Sequence, residues 1–163
     1  MKYPILGVVA CMVLGGSAGA AAPNDPLTAP IRQFVDSFNK GDMAAAAATH
    51  APSDLAIIDE VAPHLWRGPG ALQAWSGDLA SDAQKRGVSD SWVTLGPPTR
   101  EEINGDRGYV VMPALYTFKE RGVAMREAAQ ITVALQKTST GWLISGWAWS
   151  GPKPLPDVAA AKP

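Results

Sequence analysis

The chain has 163 residues, a net charge of −1, 47% hydrophobic residues and one cysteine. That length accommodates one domain with a core of its own. A near-neutral chain with scattered Lys and Arg carries no basic stripe for nucleic acid or anionic lipid, and a single Cys11 excludes an intrachain disulfide.

Residues 1–20 read as an export signal. Lys2 supplies a weak positive n-region, Ile5 to Leu14 an apolar stretch, and Ser17-Ala18-Gly19-Ala20 the small residues of a cleavage site. Cleavage is expected after Ala20, with Ala22 as second choice and an uncleaved anchor as the competing reading. The product is then periplasmic or secreted, free of the membrane after signal removal, and without a thiol, since Cys11 lies in the removed part. Gly15 to Gly19 matches a Gly-x-Ser-x-Gly nucleophile pattern, but its place in the signal makes it a chance match.

Residues 21–27 form a linker. Thr28 is expected to cap a first helix, with Pro30 in the first turn, where its missing N–H is not needed. Ile31, Phe34, Val35 and Phe38 then fall on one helical stripe, and Gly41 ends it. Asp42 caps a short alanine-rich helix, and His50 at its end is expected to compensate the helix dipole. Leu55 to Val61 reads as a strand, and Gly68-Pro69 starts a third helix with Leu72, Trp75 and Leu79 inward and Lys85-Arg86-Gly87 at its close. The pair Lys85-Arg86 is read as dipole compensation, not as a binding patch.

The texture then changes to period two. Ser91 to Leu95 and Thr99 to Ile103 read as one strand interrupted by Pro97-Pro98. Tyr109 to Lys119, Val123 to Lys137 and Trp142 to Ser150 follow as long strands separated by turns at Asn104-Gly105, Glu120-Arg121-Gly122 and Thr138 to Gly141. Residues 152–163, rich in proline and alanine, read as a disordered tail. Helices first and an antiparallel meander after them define an α+β fold, a curved sheet covered by N-terminal helices that leaves a cone with an apolar interior.

This order, with Asn39-Lys40-Gly41-Asp42 closing the first helix, Ile58-Asp59-Glu60, Trp66-Arg67-Gly68-Pro69, Tyr109-Val110-Val111, Gly141-Trp142 and Trp147-Ala148-Trp149, resembles the nuclear transport factor 2-like superfamily and, within it, the SnoaL-like group. The resemblance covers residues 28–151. It implies a cone-shaped, cystatin-like α+β barrel and a homodimer formed through the sheet. The superfamily holds isomerases, cyclases and dehydratases beside non-catalytic binders, so the resemblance fixes a fold and not a reaction. In its isomerase branch a catalytic aspartate sits where Asp59 does, while the oxyanion tyrosine corresponds to Phe34, which has no hydrogen-bond donor. Ketosteroid isomerisation is therefore not expected.

Asp59 shares parity with Leu55, Ile57 and Val61, so a partly desolvated carboxylate with a raised pKa is expected there; Glu60 points to the opposite, solvent side. Glu127 lies on the apolar face of its strand with Met125, Ile131, Val133 and Leu135, and the opposite set, Arg126, Gln130, Thr132 and Gln136, forms the outer or dimer face. His64, in the turn after Pro63, is a candidate proton shuttle beside Asp59. Asp59, Glu127 and His64 are thus the candidates for acid–base work, each with a structural alternative as a turn-capping, ion-paired or surface residue. Trp66, Tyr116, Met112, Phe34, Trp147 and Trp149 are the candidates for lining the ligand space, Trp147 and Trp149 on one side by parity. No cofactor fingerprint is present, and two histidines without a mature cysteine make a transition-metal site unexpected. The leading reading is an exported, cofactor-free domain that binds a small, mainly apolar molecule. The alternatives are a cyclase, isomerase or dehydratase with Asp59 as general base, and a non-catalytic dimeric scaffold whose cone is packed.

Overall fold

A computed structural model of the chain describes residues 25–158. The expected signal and its cleavage site lie outside the described residues. The first helix, α1 (Ala29–Asn39), carries Pro30 in its first turn and buries Ile31, Phe34 and Val35. Thr28 is not the cap expected of it: its backbone is already helical and its hydroxyl meets the Asp25 carbonyl at 3.3 Å. The following α2 (Met43–Ala48) is capped as its sequence indicates, with Asp42 Oδ1 accepting the Ala45 N–H at 2.9 Å.

Two short strands, β1 (Ala56–Ile58) and β2 (Leu65–Arg67), pair antiparallel ahead of α3 (Ala71–Arg86). The helix starts three residues later than Gly68, because Pro69 and Gly70 form a turn, and Gly87 closes it in the left-handed conformation. The strand expected over Leu55 to Val61 regularises only at Ala56–Ile58. Its pairing ends where the Asp59 N–H donates to the His64 carbonyl at 3.2 Å.

The remainder is sheet: β3 (Val88–Leu95), β4 (Arg100–Asn104), β5 (Arg107–Glu120), β6 (Val123–Thr138), β7 (Gly141–Ser150) and β8 (Leu155–Pro156). The main path runs β2-β1-β7-β6-β5-β3. Both β3 and β4 pair with the same edge of β5, β3 against Ala114 to Glu120 and β4 against Arg107 to Val111, so β4 continues β3 past Pro97-Pro98. Every pairing along this path is antiparallel except β1 with β7. There Gly146 is required by close approach: a Cβ would lie 3.0 Å from the Ala56 carbonyl oxygen.

The long strands curl, and α1 and α3 cover the concave face. Ile31 and Phe34 from α1, Leu72 and Trp75 from α3, and Val110, Met112, Ile131, Val133 and Ile144 from the sheet form one core. Asn39 fixes α1 to the sheet, its side-chain amide donating to the Val93 carbonyl and accepting the Val93 N–H, both at 2.8 Å. That reciprocal pair gives the Asn39 of the helix-one pattern a physical purpose.

Residues 152–158 overturn the expectation of a disordered tail there. Leu155 and Pro156 pair with Arg126 and Met125 of β6, and Asp157 N–H donates to Ala124 at 2.8 Å. Prolines are tolerated because β8 is a two-residue edge strand.

Candidate functional site

Between α1, α3 and the concave sheet lies a cavity of about 360 Å³, a size that suits a small organic molecule. Its wall is aromatic. Trp75 from α3 meets Trp147 from β7 edge-on at 5.0 Å, and Phe34 from α1 lies 5.6 Å from Trp147. Tyr116 stacks on Phe118 at 4.7 Å and stands perpendicular to Trp149.

Two carboxylates enter this wall from different elements. Asp59, just past β1, keeps the strand's alternation inward, and its Oδ2 accepts the indole N–H of Trp75 at 2.8 Å. Its Oδ1 accepts the Val61 N–H at 3.3 Å. Desolvation raises its pKa against these hydrogen bonds. Glu127, 4% exposed, comes from the inner face of β6, and its Oε1 accepts the indole N–H of Trp149 at 2.9 Å. Burial raises its pKa, with the Trp149 bond opposing and the charges of Glu60 and Asp59 adding to the rise. Among the described residues, the sealed polar atoms without a partner are Arg32 Nε, His50 Nε2 and Trp147 Nε1. Glu127 lines the cavity, and its Oε2 takes no hydrogen bond from the described residues.

Each expected site residue has a definite place. Asp59, Glu127, Phe34, Tyr116, Trp147 and Trp149 line the cavity together. Tyr116 is the direct cross-strand neighbour of Glu127, and burial pushes its phenol above the ordinary range. The parity argument for Trp147 and Trp149 holds because the irregularity in the β6–β7 ladder, at Ser145, falls before both. His64 reaches the rim, but its Nδ1 faces the Asp59 backbone carbonyl at 3.2 Å and not the carboxylate, so the expected shuttle contact is not made.

Trp66 and Met112 do not line the cavity. Trp66 donates to Asp78 Oδ2 at 2.9 Å and staples β2 to α3, while Met112 is fully buried in the core behind the wall. His50 is also not the charged cap expected of it. It is buried, its Nδ1 lies 2.9 Å from the Ala46 carbonyl, and burial holds its pKa down at about 4, so the ring is neutral at pH 7.

Among the lining residues that the sequence alone does not place at the site, four bear on its chemistry. Trp75 was read only as core, though a buried indole must find a partner for its N–H and the facing acid was available. Arg86 was read as dipole compensation, yet it reaches the wall, held by Glu120 at 2.9 Å and Asp82 at 3.3 Å and lying over the Phe118 ring. Phe118, on the inner face of β5, lines the cavity beside Tyr116. Glu60, expected to face solvent, is indeed exposed but bends over the cavity mouth, where its Oε1 accepts the Gly151 N–H at 3.1 Å. Its pKa too is raised, chiefly by desolvation.

The fold and this pocket define an α+β cone with an acid-bearing aromatic interior, a fold that solved nuclear transport factor 2-like structures share. Residues 28–154 match the SnoaL-like domain, and the chain belongs to that family. It is similar to a ketosteroid isomerase-like protein from Erwinia carotovora atroseptica, with 20% identity over 78% of this chain and 95% of that one and a TM-score of 0.59. A hexachlorocyclohexane dehydrochlorinase from Novosphingobium barchaimii shares 15% identity over 80% and 89% of the two chains, with a TM-score of 0.65. A nuclear transport factor 2-like superfamily protein from Salmonella enterica serovar Typhimurium shares 18% identity over 83% and 93%, with a TM-score of 0.63. At these identities the likeness is one of fold. No curated protein matches the chain.

Proposed function

We propose that this domain binds a small, flat, mainly apolar molecule in its cone, with Asp59 and Glu127 fixing the polar end. The observation that carries the reading is the open cavity whose aromatic wall holds two carboxylates, each gripped by an indole N–H. Open space of about 360 Å³ argues against a scaffold whose cone is packed by its own side chains. We propose further that the chain is exported and that mature copies pair through the outer sheet face. Sequencing the N-terminus of the secreted or periplasmic protein should begin at Ala21, and an intact Met1 would overturn export with cleavage.

A second reading, cofactor-independent acid–base catalysis of the isomerase, cyclase or lyase type, is favoured by one arrangement. Asp59 and Glu127 both have raised pKa values, and Tyr116, which also lines the cavity, is paired with Glu127 in the ladder. In that reading Asp59 takes a proton, protonated Glu127 returns one, and Tyr116 donates to a developing oxyanion. The similarity to a dehydrochlorinase is compatible with it but at 15% identity adds only the shared fold.

One experiment separates the two. Flat hydrophobic carbonyl compounds are titrated against the protein by tryptophan fluorescence, and the recovered ligand is compared with the input by mass and chromatography. Binding with the ligand returned unchanged from both wild type and Asp59→Asn supports the binder. A rearranged or dehydrated product that disappears in the variant establishes the enzyme in its place, and no binding to any compound removes both.

A further inference from the structure

The lining of the cavity has a charge imbalance that a neutral apolar ligand does not require. Asp59 and Glu60 enter from the turn after β1, Asp82 from α3 and Glu127 from β6, against one guanidinium, Arg86. Arg86 is paired with Asp82 and with Glu120 outside the lining, and it offsets the charges of Glu60 and Glu127 only in part, since desolvation still holds both pKa values up. His64 stands at the rim and bonds to backbone.

The acids are also held in an unusual way. Asp59 and Glu127 are positioned by indole N–H groups, which orient a carboxylate without cancelling its charge. Glu127 is 4% exposed and lines the cavity, and its Oε2 takes no hydrogen bond from the described residues. A carboxylate oxygen that is buried, ordered and unbonded is a vacant acceptor for a cation or a donor. The same cavity is lined by Trp75, Trp147, Trp149, Tyr116, Phe34 and Phe38, rings whose π-faces attract a weakly hydrated organic cation. A bare metal ion does not suit this wall: among the described residues no three metal-ligating side chains converge.

We infer that the ligand of this cavity is an organic cation, an aromatic or alkyl amine or quaternary ammonium compound whose charged nitrogen sits by Glu127 and Asp59 and whose apolar body fills the aromatic cone. The inference rests on the binding reading above and narrows it from any apolar molecule to a cationic one.

The test uses two probes of one shape, benzyltrimethylammonium and its neutral carbon isostere neopentylbenzene, titrated at pH 7.5 by the fluorescence of the wall tryptophans and by calorimetry. The cation is expected to bind about tenfold more tightly than the isostere, the order expected for one or two partly screened charge contacts. Glu127→Gln and Asp59→Asn keep an acceptor for Trp149 and Trp75, so each should lower cation affinity by about fivefold or more while leaving the isostere within about twofold. If the isostere binds as tightly as the cation, or the preference survives both substitutions, the cation inference is overturned while the apolar-binder reading stands. If neither probe binds to wild type, both fall.

Discussion

His50 should make the fold sensitive to mild acid. Its ring is 6% exposed, set edge-on to Phe34 at 4.7 Å, with Nδ1 bonded to the Ala46 carbonyl and Nε2 sealed without a partner. A second proton would have to go on Nε2, where nothing accepts its N–H, which is why burial moves the pKa from 6.5 to about 4. The folded value is depressed, so between those limits the unfolded chain binds more protons and stability rises with pH. The full effect is about 3 kcal/mol, reached below pH 4, and the loss between pH 7.5 and pH 5 is about 2 kcal/mol. Urea unfolding at the two pH values reads this as a midpoint shift of about 1 M. The raised carboxyls act in the opposite direction over part of this range, so the comparison is made against His50→Gln, which does not titrate and can still donate to Ala46. Wild type should lose about 2 kcal/mol more than the variant on going to pH 5. Equal losses, or a His50 ring that titrates near 6.5 by proton NMR, would refute the argument.

Trp75→Phe removes the indole donor to Asp59 and part of the packing against Trp147, and is expected to cost about 2–4 kcal/mol in chemical denaturation. In a double-mutant cycle with Asp59→Asn a coupling near zero would show that the 2.8 Å contact carries no energy. Glu127 has a raised pKa in the fold, so its contribution is full below the unfolded carboxyl value of 4.5 and is lost as pH rises through the folded one. Glu127→Gln should therefore gain on wild type between pH 4 and pH 8, and parallel stability curves would sink that reading. Gly151→Ala places a Cβ against Glu127 Oε1 and 3.0 Å from the Ala129 Cβ. It should cost about 1–3 kcal/mol and shift the emission of Trp149, whose partner is displaced; an unchanged spectrum and melt would count against the packing described.

The fold was legible because its signals are local. The stripe through Ile31, Phe34, Val35 and Phe38, the cap at Asp42, the left-handed Gly87 and the alternation through β5 and β6 are short-range patterns, and each is present in the structure. Parity likewise placed Glu127, Tyr116, Trp147 and Trp149 on the inner face. Partners that meet only in three dimensions were not legible. Trp66 reads as a pocket aromatic until Asp78, one exposed turn along α3, takes its N–H. Met112 has the same parity as Tyr116 but sits where the sheet is covered by helix, and parity carries no depth. The expectation of a frayed end at Pro152, Pro154 and Pro156 failed for a related reason. Proline forbids ladder interior, not a two-residue edge, and the long strand β6 offers such an edge at Met125 and Arg126.

The choice of donor for each acid separates support from function. On the outer surface Glu102 meets Arg100 and Asp90 meets Lys119, pairs whose charges cancel where water already screens them. Inside the cone, where a guanidinium would relieve far more strain, Asp59 and Glu127 are given indoles instead. The Asp78–Trp66 pair shows that an indole–carboxylate contact can be purely structural, but Asp78 is exposed and water solvates its remaining lone pairs. Glu127 has no such relief, and Asp59, Glu60 and Glu127 all have raised pKa values. A fold selected for stability alone gains from replacing such groups with amides or hydrocarbons. Their retention in place is accounted for if the missing positive charge arrives with the ligand, which would lower all three pKa values together. At a pH where these carboxyls are part-protonated, binding of the cationic probe should then release protons, and calorimetry there in two buffers of different ionisation enthalpy should give different apparent enthalpies for it and equal ones for the neutral isostere.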